Sequence, residues 1–153
     1  MTATNADLRV ADLMTLDPVT VSLDASIEEA EVLLREFRVT GLPVVDGRDR
    51  LVGVISQTDL LYLAQPSVRA LIRHGERGLR VGDVMSVPPI TVETATSLAD
   101  AARLMKDRHL HRVVVVDDVE RPVGVLSSMD FVALAAEPEA HTLATLAPAA
   151  ASA

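Results

Sequence analysis

One short pattern of residues occurs twice in the chain and carries groups suited to holding a nucleoside. It consists of glycine, two apolar residues, serine, two further residues and aspartate, at positions 53–59 and again at 124–130. Each serine ends an apolar run, so each aspartate falls in the first turn of the helix expected next, whose unpaired N–H groups favour an anion such as phosphate. A carboxylate there can accept two hydrogen bonds from a ribose diol, each worth about 1.5–3 kcal/mol. The glycine permits a close approach to the strand backbone.

The same spacing also has a structural interpretation. It is that of a capping box, in which Ser56 or Thr58 accepts a hydrogen bond from the first N–H groups of the helix and Asp59 complements the helix dipole. Ser127 and Asp130 stand in the same relation in the second copy. The two interpretations are compatible. The candidate ligand contacts are therefore Ser56, Thr58, Asp59, Ser127 and Asp130.

The pattern occurs twice because the chain contains a duplication. The segment VADLMTLDPVTV, which begins at Val10, recurs as VGDVMSVPPITV from Val81, and the register then holds without a gap. Of the 51 positions in 10–60, 18 are identical to their counterparts in 81–131, against about one in fifteen expected from ordinary composition. The two halves are therefore copies of one unit.

Each copy predicts the same elements. A short amphipathic turn and a β-branched run precede a helix that opens at Ser26, with Glu29 at capping-box spacing. A hairpin of two apolar strands follows, whose weak alternation indicates that both faces are buried, and then a second helix. One such unit leaves a sheet face that it cannot bury alone. We therefore expect an α+β (mixed α/β) fold of two β-α-β-β-α repeats, packed sheet to sheet with pseudo-twofold symmetry.

The predicted boundaries follow from the repeat. They are 8–64 for the first repeat, 65–78 for a linking helix and loop, 79–135 for the second repeat, and 136–153 for an Ala/Pro-rich tail that we expect to be disordered. Pro66 sits where the first turn of the linking helix tolerates it. Because most of the apolar surface is buried only when both copies are present, we expect neither repeat to fold well alone.

The composition excludes several classes of function. A formal net charge of −8 and an aromatic fraction of 2% leave neither a basic footprint nor a stacking platform for nucleic acid. The chain has no cysteine, no apolar run long enough to span a membrane and no signal-peptide pattern, so we expect a cytoplasmic protein. No nucleophile–base pair, metal-ligand set or phosphate-binding glycine loop is evident, so we expect neither catalysis nor a metal centre.

The residues resemble the cystathionine-β-synthase (CBS) domain family, in the tandem arrangement called a Bateman module. The resemblance rests on the V-x-D-h-M…P-h-T-V opening (h, apolar), on LPVVD at 42–46 and on the doubled G-h-h-S-x-x-D, and it covers about 10–135. It implies a cleft between the repeats that binds AMP, ADP or ATP, or an adenosine compound such as S-adenosylmethionine or NADH. It also implies a homodimer and regulation of a separate effector protein. The alternative is a ligand-free pair that acts as a scaffold for dimerisation or partner docking.

The resemblance adds two threonines to the candidate site. Thr20 and Thr91, which we place at the end of the strand after each proline, stand where family members line the purine pocket with backbone and hydroxyl groups. The alternative is that both are β-branched residues suited to a strand.

A histidine–arginine pair distinguishes the second repeat from the first. His111 and Arg112 stand where the first repeat has Thr40 and Gly41. The pair resembles the phosphate-facing start of a strand in AMP-sensing kinase γ subunits. Arg112 can bind phosphate in a bidentate manner and His111 can add a donor. We therefore expect two unequal sites, of which the first lacks the cation.

Two other interpretations of this segment remain open. The pair can lie on a solvated strand edge, with Arg112 bonded to Asp107 or Asp117. Alternatively, His109 and His111 would share one face of a strand and could begin a metal site, although no third ligand is evident.

Overall fold

The computed structural model describes residues 7–71 and 78–137. Within those ranges the fold is α+β with two sheets, as predicted. The elements in chain order are α1 (Val10–Leu13), β1 (Thr15–Leu16), β2 (Val21–Ser22), α2 (Ile27–Glu36), β3 (Gly41–Val45), β4 (Leu51–Ser56), α3 (Gln57–Leu63), α4 (Pro66–Leu71), α5 (Val81–Val84), β5 (Thr91–Glu93), α6 (Leu98–Asp107), β6 (Arg112–Val116), β7 (Pro122–Ser127) and α7 (Ser128–Ala136). Most of the predicted tail and part of the linking loop lie outside the described residues.

The chain divides into two compact units, and each contains parts of both repeats. The described residues of the first unit are 7–16, 91–117 and 123–137, and those of the second are 17–71, 78–90 and 118–122. Residues 7–16 open the first repeat but belong to the first unit, which is formed mainly by the second repeat. Residues 78–87 lead into the second repeat but belong to the second unit, which is formed mainly by the first repeat. We call 7–16 and 78–87 the opening segments. Neither repeat therefore holds a complete unit of its own.

The second unit is built on a three-stranded sheet in the order β2-β3-β4. β2 runs parallel to β3, and β3 runs antiparallel to β4. The core consists of buried aliphatic residues, namely Val21, Ala30, Leu34, Leu42, Val44, Ile55, Leu60 and Val81. Val81 is the first residue of α5 and is wholly buried. The opening segment thus supplies part of this core.

The first unit contains a four-stranded sheet in the order β1-β7-β6-β5. β1 runs antiparallel to β7, and β5 runs parallel to β6. Val10, at the start of α1, is wholly buried, as its counterpart Val81 is in the second unit. Each opening helix therefore buries the valine at its first position.

Backbone hydrogen bonds fix each opening helix to the loop that precedes α2 or α6. The four bonds are Val10 N–H to Thr96 O (2.8 Å), Ala11 N–H to Thr94 O (3.0 Å), Val81 N–H to Ala25 O (2.9 Å) and Gly82 N–H to Leu23 O (2.8 Å). The first N–H groups of a helix have no partner within the helix, so these bonds satisfy donors that would otherwise need water.

Each opening segment then passes closely over a glycine of the neighbouring strand. A Cβ atom at Gly53 would lie 2.6 Å from Sδ of Met85 and 3.0 Å from the carbonyl oxygen of Ser86. A Cβ atom at Gly124 would likewise lie 2.6 Å from Sδ of Met14 and 3.0 Å from the carbonyl oxygen of Thr15. A side chain at either glycine would force the methionine or the opening segment to move. The space beside these glycines, which the sequence suggested for a ligand, is occupied by the opening segment.

The predicted burial of the hairpins is correct for only one strand of each. In β3 and β6 four consecutive residues are buried, which places both strand faces in the core. In β4 and β7 buried residues alternate with half-buried ones, so the predicted burial of both faces is wrong there. Both faces of these strands carry apolar side chains, so the sequence shows no alternation even though one face is only partly covered.

The exchange of opening segments predicts which substitutions interact. Gly53→Ala forces a methyl group against Met85 and is expected to lower the free energy of unfolding by about 1–3 kcal/mol. Met85→Ala removes the obstructing sulfur, so the double variant should lose less than the sum of the single variants, by about 0.5–3 kcal/mol. Urea unfolding followed by circular dichroism provides the four free energies.

The control combines Gly53→Ala with Met14→Ala, whose side chain lies on Gly124 in the other unit. These two losses should add to within about 0.5 kcal/mol. Coupling of Gly53 to Met14 in place of Met85 would contradict the exchange.

Candidate functional site

The first candidate site lies where β4 ends and α3 begins. Ser56 is the N-cap of α3, and its Oγ accepts a hydrogen bond from the N–H of Asp59 at 3.2 Å. In return, Oδ2 of Asp59 accepts from the N–H of Ser56 at 2.8 Å and from its hydroxyl at 2.9 Å. The capping interpretation is therefore confirmed. Thr58 does not form the cap and lies exposed in the first turn of α3.

The second candidate site repeats this geometry where β7 ends and α7 begins. Oγ of Ser127 accepts from the N–H of Asp130 at 3.3 Å. Oδ2 of Asp130 accepts from the N–H of Ser127 at 2.7 Å and from its hydroxyl at 3.0 Å. The two units thus present the same arrangement of serine and aspartate.

These two boxes differ from the other helix starts of the chain. Their hydrogen bonds are partly buried, whereas those at the starts of α1, α2 and α5 are exposed. Within the described part of the chain, Oδ1 of neither Asp59 nor Asp130 has a hydrogen bond. At the start of α6, by contrast, the hydrogen bond from the Arg103 side chain lowers the pKa of Asp100. The strand-end carboxylates therefore keep one acceptor oxygen for another partner.

Thr20 and Thr91 lie at the start of a strand, so their predicted position at its end is wrong. β2 begins one residue after Thr20, and Thr91 is the first residue of β5. The residues directly after Pro18 and Pro89 remain irregular until the chain pairs with β3 or β6. The β-branched run therefore begins before the strand does.

In the second unit, the strand register shows where Thr20 lies relative to the Ser56–Asp59 box. Val21 pairs with Val44 in the parallel ladder, and Gly41, the first residue of β3, pairs with Ser56, the last residue of β4. Val44 is the fourth residue of β3, so the start of β2, after Thr20, lies three residues along the sheet from the Ser56 pair.

The first unit brings the histidine–arginine pair, but not Thr91, to the sheet end of its box. Thr91 pairs with Val114 in the parallel ladder, two residues into β6. The N–H of Ser128 donates to the carbonyl oxygen of His111 at 2.8 Å, which places the start of β6 beside the end of β7. The His111–Arg112 pair and the Ser127–Asp130 box therefore share one sheet end, whereas Thr91 lies beside the middle residue of β6.

The two sites use one backbone frame and differ in side chains. The N–H of Gln57 donates to the carbonyl oxygen of Thr40 at 2.8 Å, the same distance as in the His111 bond of the other unit. At the acceptor position and the residue after it, the second unit has Thr40 and Gly41, whereas the first unit has exposed His111 and Arg112.

Two alternatives for the histidine–arginine pair find no support in the structure. Among residues 7–71 and 78–137, no ion pair of Arg112 is found, and Asp107 pairs with Lys106 at 3.9 Å. His109 precedes β6 and has a left-handed backbone with φ of 55°, so the premise that it shares a strand face with His111 is wrong. The described part of the chain contains no group of three side chains that could hold a metal ion.

Sequence reasoning missed the methionines of the opening segments. Met85 and Met14 lie against the strands that end in the two capping boxes. Their signal in the sequence is that both are identical across the duplication, as Gly53 and Gly124 are. That identity does not show which methionine meets which glycine.

A comparison with protein-family models decides the family. The model described as CBS domain matches residues 10–65 and again 81–137. The chain belongs to the CBS domain family. It carries two CBS domains in tandem, which confirms the resemblance drawn from the sequence. Of the described helices, none combines the length and apolar character that crossing a membrane requires.

Relatives with CBS domains include both a CBS-domain protein and an enzyme. The chloroplastic CBS domain-containing protein CBSX2 of Arabidopsis thaliana is 34% identical over 148 residues, which cover 82% of this chain and 62% of CBSX2. Inosine-5'-monophosphate dehydrogenase of Mycobacterium tuberculosis is 32% identical over 133 residues, which cover 86% of this chain and 22% of the dehydrogenase. The chain thus spans less than two thirds of either relative.

Two solved structures with CBS domains are similar to this chain. The crystal structure of CBSX2 in complex with AMP has a TM-score of 0.75 and 37% sequence identity, covering 85% of this chain and 97% of that one. The CBS domain pair of protein MJ0100, in complex with 5'-methylthioadenosine and S-adenosyl-L-methionine, has a TM-score of 0.73 and 26% identity, covering 86% and 98%.

Proposed function

We propose that this chain is a non-catalytic regulatory module that binds an adenosine-type nucleotide and signals to a separate partner protein. The observation that carries the proposal is the doubled strand-end box, in which Asp59 and Asp130 are half-buried and held through Oδ2 alone. The complexes of CBSX2 with AMP and of the MJ0100 domain pair with two adenosine compounds support this ligand class. AMP, ADP and ATP are the first candidates, followed by S-adenosylmethionine and NADH.

The capping box prepares the carboxylate for a ribose. Because Ser56 holds Oδ2 of Asp59 by two hydrogen bonds, the side chain loses little further rotational freedom when a ligand binds. The remaining oxygen can accept from ribose hydroxyls, in charge-assisted bonds of about 1.5–3 kcal/mol each. Asp130 and Ser127 offer the same arrangement.

The remaining candidates provide for the base and the phosphate. We assign the hydroxyl and backbone groups of Thr20 and Thr91 to the purine, since they stand at or next to the starts of β2 and β5, which pair with the strands that begin beside the boxes. We assign Arg112 and His111 to phosphate, because Arg112 is exposed and no acidic partner holds it within the described residues.

Location and partner remain predictions. We predict a cytoplasmic location from the sequence, whereas one relative, CBSX2, is named as chloroplastic. The effector is proposed as a separate protein, and no residue is assigned to contact with it.

Discrimination between AMP and 2'-deoxy-AMP tests the proposed ribose contact. We expect AMP to bind, and 2'-deoxy-AMP to bind about 10- to 100-fold more weakly, because one charge-assisted hydrogen bond is lost. Asp59→Asn combined with Asp130→Asn should abolish the discrimination. Isothermal titration calorimetry measures both dissociation constants.

The matched control for this experiment is Asp100→Asn. Asp100 has the same position in the first turn of a helix but lies outside both boxes. It should leave AMP affinity unchanged. Failure of AMP, ADP, ATP, S-adenosylmethionine and NADH to bind at millimolar concentration would refute the proposed function.

Selectivity for phosphate tests the proposed inequality of the sites. Replacing His111 and Arg112 by the residues of the first repeat, His111→Thr with Arg112→Gly, should weaken AMP about 10-fold or more while leaving adenosine nearly unaffected, since only the phosphate contact is lost. Equal losses for AMP and adenosine would show instead that the pair supports the fold of the site.

A scaffold for self-association is a second candidate function, and an exposed apolar helix face favours it. In α7, Met129 and Val132 are 67% and 55% exposed, and the exposed Ala133 and Ala136 extend them at helical spacing. In α3, Leu61 and Tyr62 are 65% and 60% exposed. We propose a second copy of the chain as the occupant of the exposed face of α7, which gives the predicted homodimer.

Sedimentation velocity tests the self-association. The wild-type chain is expected to sediment as a dimer, and Val132→Lys as a monomer because it places a charge in the apolar face. Val32→Lys on α2, where valine is also exposed, serves as the control and should remain dimeric. A wild-type monomer at all concentrations, or a dimer that survives Val132→Lys, would contradict this assignment.

A further inference from the structure

Each candidate site lies on a strand that an opening segment from the other repeat holds in place. In the second unit, Val54 and Ser86 exchange both backbone hydrogen bonds, with N···O distances of 3.2 and 2.8 Å. Val54 follows Gly53, against which Met85 packs, and stands two residues before Ser56 of the capping box. The opening segment is therefore paired to β4 directly before the residues proposed to bind the ligand.

The first unit has the same arrangement with the repeats interchanged. Thr15 pairs with Val125 and Leu16 with Gly124 in the ladder between β1 and β7. Met14 packs on Gly124, three residues before the serine of the box. The sequence that opens the first repeat thus supports the strand end of the second.

The opening segments also bond to the loop that follows a second strand of the same sheet. The N–H groups of α5 donate to the carbonyl oxygens of Leu23 and Ala25, and those of α1 donate to Thr94 and Thr96. These acceptors lie in the loops that follow β2 and β5, the strands whose starts carry the candidate threonines. One segment therefore bonds both to the strand that carries the box and to the loop after the strand that begins at or next to the candidate threonine.

We infer that each opening segment is a positioning element for the ligand site of the opposite repeat, with Met85 positioning the Ser56–Asp59 box and Met14 the Ser127–Asp130 box. This inference rests on the proposed function. The methionines contact the strand three residues before each box, so we assign them a role in the placement of the strand end. By linkage, a ligand that binds more tightly when the opening segment is docked also strengthens that docking. Occupancy of each site is therefore coupled to docking of the opening segment from the other repeat.

Affinity for AMP in single-site variants tests the crossed dependence. Asp130→Asn leaves the Asp59 site, and Asp59→Asn leaves the Asp130 site. In the Asp130→Asn background, Met85→Ala should weaken AMP about 3- to 30-fold and Met14→Ala should leave its affinity unchanged. In the Asp59→Asn background the two effects should be reversed. Methionine→leucine variants, which conserve volume, should restore most of the affinity.

Amide hydrogen exchange tests the same dependence without a ligand. The N–H groups of Gln57 and Ser128 make equivalent bonds of 2.8 Å at the two sites and are matched reporters. Met85→Ala should accelerate exchange at Gln57 and spare Ser128, and Met14→Ala should do the reverse. A general loss of stability would accelerate both amides alike.

The outcomes separate this inference from the function on which it rests. If AMP binds neither the wild-type chain nor the single-site variants, the proposed function fails for this ligand, and the amide pattern still decides the positioning role. Equal effects of both methionine variants at the two sites, or effects confined to the site of the same repeat, would overturn the inference.

Discussion

The close approach of a methionine to a glycine, made once in each unit, is the contact on which the described architecture depends. A Cβ atom at either glycine would lie 2.6 Å from the sulfur, so a side chain there would displace the methionine and disturb the approach of the opening segment to the strand backbone. That approach allows the segment to pair with the strand and to bury Val10 or Val81. Each compact unit is consequently assembled from parts of both repeats.

The strand ends show how one set of hydrogen bonds can serve folding and binding together. The serine and aspartate of each box satisfy N–H groups at the start of a helix, which stabilises the fold whether or not a ligand is present. The same bonds fix the aspartate through Oδ2 and leave Oδ1 in a half-buried position at the sheet end. The capping and ligand interpretations of Ser-x-x-Asp are thus two properties of one geometry. The inequality of the sites arises elsewhere, where His111 and Arg112 replace Thr40 and Gly41 on a shared backbone frame.

The features that could be predicted from the sequence are local or repeated. The helix start at Ser26 and the cap at Ser56 depend on residues three positions apart, and the family emerged from motifs in register across the copies. The exchange of opening segments was not predictable in this way. Sequence similarity shows where each copy begins, but the contact between Met85 and Gly53 joins residues of different copies. The placement of Thr20 and the left-handed backbone of His109 were also missed, since both depend on where pairing begins.

The central claim is that a half-buried aspartate at the end of a strand holds the ribose of an adenosine nucleotide. A crystal structure of the chain grown with AMP tests it most directly. The account predicts AMP at one or both strand ends, with a ribose hydroxyl within about 2.5–3.0 Å of Oδ1 of Asp59 or Asp130. AMP bound at another surface, or strand ends without AMP in a crystal saturated with it, would contradict the account.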